Sequence, residues 1–255
     1  MTVIVGLLCT DGVVVGSDSS ATFGPTMMHK TIEQTVQKIF VIQNRIIVTG
    51  TGQIGAGQRF TAAIDTAWKA NTLKAALPTD FAKQLSIVGT NDFASTKMPQ
   101  GSFGALAAFP NHKTLCLCEL ALQDFQPELK TKDMWFASMG SGQPITDPFL
   151  GLMRRVFFPK SQPTVKEGLF ITTWALRHAI DLNPGGINGP PQIATLTLNG
   201  KGDPEARILP EGELQEHNSS VEAAEKHLSQ YRDILNNPAK AEDPKIPVKE
   251  EQPHQ

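Results

Sequence analysis

The order of strand-like and helix-like segments constrains the fold of this chain more than any other feature. The runs TVIVGLLC and VVVGSD open the chain, and QKIFVI and RIIVTGTG follow them. Two helix-like segments come next, then strands, two more helices and further strands. Groups of strands separated by pairs of helices indicate antiparallel sheets that stack on each other, with helices on the outside. The sequence therefore predicts an α+β fold.

The first two runs are predicted to form a β-hairpin. The segment TDG at residues 10–12 separates them, and Asp-Gly between β-branched runs is a strong turn signal. A turn centred on its last two residues places Asp18 opposite about Val5, near the start of the chain. The first strand is expected to begin at Thr2, and Lys38 is expected early in a following strand.

Helix boundaries are predicted from prolines, capping residues and apolar spacing. Residues 54–70 have the spacing of an amphipathic helix. Thr79 is expected to cap a second helix, and Asp147 a third. The segment TVKEGLFITTWALRHAIDL predicts a fourth helix with a broad apolar face, and a fifth is expected to start at Ser219 or Ser220.

The composition along the chain divides it into three parts. Residues 1–215 carry the strand and helix pattern of the main domain. Residues 216–237 are predicted to form a C-terminal helical extension that packs on a neighbouring subunit or a partner. Residues 238–255 are rich in proline and charge, which is typical of a disordered tail.

Charge and hydropathy exclude several classes of function. The formal net charge is -2, so no basic excess points to nucleic acid. Apolar runs are far shorter than the ~20 residues of a membrane-spanning helix, and no secretory signal is recognised after Met1. Cys9, Cys116 and Cys118 are an odd number in apolar contexts without ligand spacing. We therefore expect a cytoplasmic protein with reduced thiols and neither metal nor cofactor.

Several motifs in the first fifty residues belong together. TVIVG is followed by DGVVVGSDSSAT, then by QTVQK and GTG, and Asp18 lies sixteen positions after Thr2. This combination resembles the proteasome β-subunit family of N-terminal-nucleophile (Ntn) hydrolases, which includes a simpler bacterial ATP-dependent peptidase. The resemblance extends over residues 2–210. It implies a four-layer αββα sandwich of two antiparallel sheets covered by helices.

The resemblance implies a role for each matching residue. Thr2 would be the nucleophile, and its α-amine the base once Met1 is removed. Lys38 would favour the alkoxide, and Asp18 would keep Lys38 charged and oriented. The backbone N–H of Gly52 would stabilise the oxyanion.

Two later motifs add helper residues under the same resemblance. Ser141 in MGSG and Asp181 in HAIDLNPGG would position the amine and a water. The chain departs from the family pattern at three positions, where Ser20, Gln53 and Pro184 replace an arginine, a glycine and a serine.

The implied function is a threonine-type endopeptidase in a homo-oligomeric ring. Its substrates would be peptides or unfolded proteins, and an ATP-dependent unfoldase is a partner that the resemblance suggests. Structural alternatives remain for each residue: Thr2 as an ordinary strand residue, Asp18 and Lys38 as a structural ion pair, Ser141 as a corner serine, and Asp181 as a capping residue. The functional alternatives are a non-catalytic scaffold subunit and an amidase that acts on small amides.

Overall fold

The computed structural model describes residues 1–23, 32–182 and 185–236. These residues contain two large antiparallel sheets and five helices. The strands are β1 (Ile4–Leu8), β2 (Gly12–Ser17), β3 (Ser20–Phe23), β4 (Ile32–Thr35), β5 (Ile39–Ile42), β6 (Ile46–Gly52), β7 (Phe103–Asn111), β8 (Thr114–Leu120), β9 (Pro127–Leu129), β10 (Phe136–Met139), β11 (Gln192–Leu198) and β12 (Pro204–Ile208). The helices are α1 (Ile54–Lys69), α2 (Pro78–Ser95), α3 (Gln143–Phe157), α4 (Val165–Leu182) and α5 (Glu211–Asn236).

Each large sheet has five strands. The first has the order β10-β1-β2-β11-β12, and the second has the order β5-β6-β7-β8-β9. Strands β3 and β4 pair separately as a two-stranded ribbon. The chain therefore enters the second sheet through a short segment between β4 and β5, and Lys38 lies in that segment, directly before β5.

Three apolar clusters hold four layers together. One lies between the first sheet and helices α3, α4 and α5, and includes Val5, Trp174 and Val221. A second lies between the other sheet and helices α1 and α2. The third joins the two sheets, with Leu106 and Leu117 at 0% exposure. The predicted α+β fold, with its αββα layering, is confirmed.

The predicted register of the first hairpin is wrong by two residues. Val5 lies opposite Gly16, so Asp18 lies beside Val3 instead of near Val5. Gly12 is already the first residue of β2, because its Cα packs against β11. A Cβ there would lie 2.6 Å from a backbone oxygen of β11. The glycine therefore serves close strand packing more than the turn.

Strand β1 begins two residues later than predicted. It begins at Ile4, whereas the carbonyl of Thr2 accepts a hydrogen bond from the N–H of Gly142, at 3.1 Å. The backbone of Thr2 is therefore bonded to the loop after β10 and not to the β1–β2 ladder.

Two helix caps were also predicted wrongly. Helix α2 takes Leu77 as its N-cap residue, which makes Thr79 a residue of the first turn. Helix α3 begins at Gln143, so Asp147 lies inside it. Proline is favoured in the first helical turn, where its missing N–H has no partner to lose. In α3, Pro144 occupies the first turn, and Pro148 lies inside the helix.

Helix α5 begins well before Ser219 and Ser220. It starts at Glu211, and both serine hydroxyls donate to backbone carbonyls four residues earlier, which places them in the helix interior. The division of the chain at residue 215 stays a prediction. The predicted tail at 238–255 lies outside the described residues. No helix in the described part of the chain has the length and apolar composition needed to cross a bilayer.

Candidate active site

The loop after β10 encloses the backbone of Thr2. The N–H of Thr2 donates to Ser141 Oγ at 3.1 Å, and the Ser141 hydroxyl also lies 3.4 Å from the carbonyl of Thr2. Gly140 has φ +89°, and a Cβ at this position would lie 2.3 Å from the Thr2 carbonyl oxygen. Glycine is therefore required there, both for the positive φ and for the close approach.

Asp18 is fully buried at the end of β2 and accepts hydrogen bonds from three residues. Its Oδ1 accepts from the N–H of Val3 at 3.0 Å, and its Oδ2 accepts from the N–H of Ser20 at 3.1 Å. Lys38 Nζ donates to the two oxygens at 2.8 and 2.9 Å. The carboxylate thereby joins the beginning of β1 to Lys38.

Lys38 brings its charge to the Thr2 hydroxyl. Its side chain is 9% exposed, and Nζ lies 3.2 Å from Thr2 Oγ1 and 3.1 Å from the carbonyl oxygen of Met1. Burial lowers the pKa of Lys38 below its ordinary value, and the charge and hydrogen bond of Asp18 oppose this only in part. An ammonium so placed can stabilise negative charge that develops on Thr2 Oγ1.

Gly52 ends β6 on the same side of the molecule. Its φ is +108°, and a Cβ there would lie 2.1 Å from the carbonyl oxygen of Ser102. The next residue, Gln53, donates its N–H to that same oxygen at 3.0 Å. The turn from β6 into α1 is therefore held tightly against β7, and Gly52 faces the same cleft as Thr2.

The structure brings together five of the six predicted site residues. Thr2, Asp18, Lys38 and Ser141 are joined by hydrogen bonds, and Gly52 lines their cleft. Asp181 is exposed in the last turn of α4. Among the residues that the structure describes, no hydrogen bond connects it with the other five. The roles of all six stay predictions, and Pro184 lies outside the described residues.

A cleft of about 370 Å³ opens beside Thr2. Its apolar wall comes from Phe40, Val48 and Phe103, and Ile54 lies at the start of α1. Among the described lining residues, Lys38 alone has a charged side chain. Sequence reasoning missed this wall, because its residues are spread over three strands and each has an ordinary strand context.

Phe103 lines this cleft. Cβ atoms placed on Gly50 and Gly57 would lie 2.4 and 3.2 Å from its ring, so two glycines make room for the ring. Phe103 also lines a second cavity of about 220 Å³, together with Phe93, Phe125 and residues after α2. The ring therefore lines both the Thr2 cleft and a second space, whose lining includes one charged side chain, that of Asp124.

Neither a reactive thiol nor a metal site competes with this cluster in the described part of the chain. The three cysteines are buried, and burial raises the pKa of Cys116 to about 11 and that of Cys118 to about 12. Such thiols are poor nucleophiles near neutral pH. No group of three or more histidine, cysteine or acidic residues within 1–23, 32–182 and 185–236 could hold a metal ion.

A family model matches the first part of the chain. Residues 2–96 match the model of the family described as "Proteasome subunit". The predicted resemblance to the proteasome β-subunit family is confirmed. This match covers less than half of the chain, but it contains Thr2, Asp18, Lys38 and Gly52. No curated protein matches the sequence.

Solved structures extend the likeness to the whole fold. The proteasome-like fold is shared with Anbu (ancestral β-subunit) from Yersinia bercovieri, with a TM-score of 0.70, 13% identity, and coverage of 96% of this chain and 100% of that one. The Anbu complex from Pseudomonas aeruginosa, solved as a helical assembly, has a TM-score of 0.68 and 15% identity, covering 95% and 98%. An Anbu (Gly-1) mutant from Hyphomicrobium sp. strain MC1 has a TM-score of 0.67 and 12% identity, covering 96% and 100%.

Proposed function

We propose that this chain is a threonine-type endopeptidase whose nucleophile is Thr2, after the bond between Met1 and Thr2 has been cleaved. One observation carries the proposal. Lys38 Nζ lies 3.2 Å from Thr2 Oγ1, while both oxygens of the buried Asp18 hold the ammonium from its other side. A structural ion pair has no need of the Thr2 hydroxyl as a third partner.

The α-amine that cleavage exposes would act as the base. An α-amino group has an ordinary pKa of ~7.7–8.0, so a substantial fraction is neutral near neutral pH. It would accept the proton of Thr2 Oγ1, directly or through a water, as Oγ1 attacks the carbonyl carbon of the substrate. The ammonium of Lys38 would stabilise the negative charge on Oγ1 during this step.

The next steps return the enzyme to its starting state. The N–H of Gly52 would donate to the oxyanion, and collapse would break the peptide C–N bond while the leaving amine takes the proton from the α-amine. A water would then hydrolyse the ester on Thr2 Oγ1 and release the acid. Ser141 Oγ, 3.1 Å from the Thr2 nitrogen, would hold the amine in position. A helper role for Asp181 is part of the proposal, although its side chain is exposed.

The cleft favours an uncharged, apolar side chain on the substrate. Phe40, Val48 and Phe103 supply its wall, and the sole charge among the described lining residues, that of Lys38, is paired with Asp18. An extended peptide would lie along the cleft with its apolar side chain against Phe103. Basic side chains would be disfavoured by Lys38.

The assembly and location are also proposals. The Pseudomonas aeruginosa Anbu complex forms a helical assembly, and the two chains share a fold over 95% of this one. We therefore expect this chain to form homo-oligomers that enclose their sites, in the cytoplasm, with an ATP-dependent unfoldase as a candidate partner. Helix α5 would pack on a neighbouring subunit.

A non-catalytic scaffold subunit is the second candidate. The observation that favours it is the departure from the family pattern at Ser20 and Pro184. With Met1 in place, Lys38 Nζ donates to the Met1 carbonyl at 3.1 Å. While Met1 remains, the Thr2 nitrogen is an amide without basicity, so no amine can take the hydroxyl proton. The state of the Met1–Thr2 bond in the purified protein therefore separates the two candidates.

Two covalent probes test the proposal. A β-lactone acylates a reactive hydroxyl alone, whereas a peptide epoxyketone closes a ring on both the hydroxyl and the α-amine. We expect intact mass to show loss of Met1, both probes to modify Thr2, and Thr2→Ala to abolish both adducts. Thr2→Ser, which keeps the hydroxyl and the amine, is the matched control and should retain labelling.

Retention of Met1, with no adduct from either probe, would support the scaffold and contradict the peptidase. Labelling of Thr2 with turnover of small amides but none of fluorogenic peptides would instead support the amidase. Labelling with turnover of apolar peptides supports the peptidase.

A further inference from the structure

Among the residues that the structure describes, no strand pairs with the segment that carries Lys38. Residues 36–38 lie between β4 and β5, and they belong to neither strand. The N–H of Val36 donates to the carbonyl of Ser19 at 2.8 Å, which attaches one end of the segment. The position of the Lys38 backbone, from which its side chain reaches Thr2, needs a further support.

Gln192 supplies that support with a single side chain. Its Oε1 accepts from the N–H of Lys38 at 2.8 Å and from the N–H of Ile39 at 3.3 Å. Its Nε2 donates to the carbonyl of Val36 at 2.8 Å. A side-chain amide has both an acceptor and a donor, so it can replace the backbone of a missing neighbouring strand.

The position of the Gln192 side chain is set by its backbone in β11. Gln192 is the first residue of β11 and lies opposite Ser17 in the ladder between β11 and β2. Asp18 follows Ser17 in the chain. The backbone of Gln192 is therefore in register with the strand that carries Asp18, while its side chain holds the segment that carries Lys38. Asp18 directly follows β2 of the first sheet, Lys38 directly precedes β5 of the second, and Gln192 connects their positions.

We propose that Gln192 is a positioning residue for Lys38, which sets the distance between Lys38 Nζ and Thr2 Oγ1 by holding residues 36–39 against the end of β2. This inference rests on the proposed function only for its kinetic consequence. The placement of Lys38 can be measured without any catalysis.

The test compares Gln192→Met, Gln192→Glu and a control, Gln84→Met. Methionine removes all three hydrogen bonds at similar length, and glutamate keeps the acceptors for Lys38 and Ile39 but loses the donor to Val36. Gln84 also donates to a backbone carbonyl, that of Lys74, at 2.8 Å, but it lies on α2 and does not line the cleft. Thermal unfolding identifies any variant that loses the fold.

The first readout is the rate of β-lactone acylation at Thr2, separated into the maximal rate and the half-saturating concentration. A misplaced catalytic group costs on the order of 10²-fold in rate. We expect the maximal rate to fall by roughly that factor in Gln192→Met and less in Gln192→Glu. The half-saturating concentration should change by less than about twofold, because Gln192 does not line the cleft. Gln84→Met should show the same maximal rate and half-saturating concentration as the unmodified protein.

The second readout is the pKa of Lys38, followed by NMR of lysine side chains with ¹³C at Cε. Lys38 faces Asp18 directly, and Glu33 adds a more distant negative charge. If Gln192→Met releases the segment, Lys38 becomes more hydrated and its pKa rises towards the ordinary value, while Gln84→Met leaves it lowered. An unchanged Lys38 pKa and an unchanged maximal rate in a folded Gln192→Met variant would overturn the proposal. A shifted pKa in a protein that no probe labels would uphold the positioning role and reject the peptidase.

Discussion

Two buried lysines of this protein have nearly equal exposure but opposite surroundings. The side chain of Lys38 is 9% exposed and that of Lys130 is 8% exposed. Lys130 lies just after β9 and pairs with Glu119 at 2.8 Å and Glu128 at 2.6 Å. Lys38 pairs with one carboxylate, that of Asp18, and its remaining contacts include the Thr2 hydroxyl.

The two environments move the lysine pKa values in opposite directions. Burial alone would lower both. At Lys130, the hydrogen bonds and charges of Glu119 and Glu128 outweigh burial and raise the pKa above its ordinary value. At Lys38, burial outweighs Asp18 and the pKa is lowered.

The difference teaches how to separate a structural lysine from a functional candidate. Two carboxylates, those of Glu119 and Glu128, satisfy Lys130. Asp18 divides its hydrogen-bonding capacity between Lys38 and two backbone N–H groups, so the ammonium is held in place but is less fully neutralised. Such a charge remains available to a neighbouring alkoxide.

Replacement of each lysine by methionine should give the largest contrast. We expect Lys38→Met to slow β-lactone acylation of Thr2 by about 10²–10³-fold, the usual effect of removing one group that stabilises developing charge. The acylation rate of Lys130→Met should stay within about twofold of that of the unmodified protein, because the contacts of Lys130 do not reach the cleft.

The rates are measured by intact mass against time, on protein whose folding is checked by circular dichroism. Equal rates in the two variants would remove any functional distinction between the lysines. Asp18→Asn should slow acylation about as much as Lys38→Met does. Glu119→Gln should leave the acylation rate about where Lys130→Met leaves it.

Enlarging the cleft should change substrate preference without touching either lysine. Phe103→Ala removes a ring that lines both the cleft and the second cavity. Because a change of pocket size is worth ~10–200-fold in discrimination, we expect about a tenfold shift in kcat/KM towards larger apolar side chains at the cleaved bond. Phe109→Ala is a control, since Phe109 is also buried in the same sheet but does not line the cleft.

The measurement is a series of fluorogenic peptides that differ only in the size of that side chain. An unchanged ranking in Phe103→Ala, or the same shift in Phe109→Ala, would show that Phe103 does not limit the cleft.

The sequence predicted the parts of this site that lie close together in the chain. The interval from Thr2 to Asp18 and the motif that ends in Lys38 fall within one stretch of under forty residues, and a hairpin brings the start of the chain beside Asp18. The register was wrong by two residues because Gly12 packs against β11, which a local pattern cannot show. Phe103 and Gln192 reach the site from other strands, and neither has a distinctive local motif.

The smallest expected effect is the pH dependence of stability. A lysine whose pKa is lowered by folding binds fewer protons in the folded state than in the unfolded state, over the window between the lowered value and ~10.4. The contribution of Lys38 to the free energy of unfolding should therefore rise with pH across that window. Lys130 has a raised pKa, so its contribution is complete below ~10.4 and declines as the pH passes through its folded pKa.

Urea unfolding measures both contributions as differences between the unmodified protein and each methionine variant, at several pH values from 8 to 11. Groups that the two proteins share cancel in each difference. We expect the Lys38 difference to grow and the Lys130 difference to shrink as the pH increases, each by at most about 1.4 kcal/mol per unit of pH. The same sign for both lysines would mean that their environments are equivalent, and the 3.2 Å contact of Lys38 with Thr2 would then be the one remaining distinction between them.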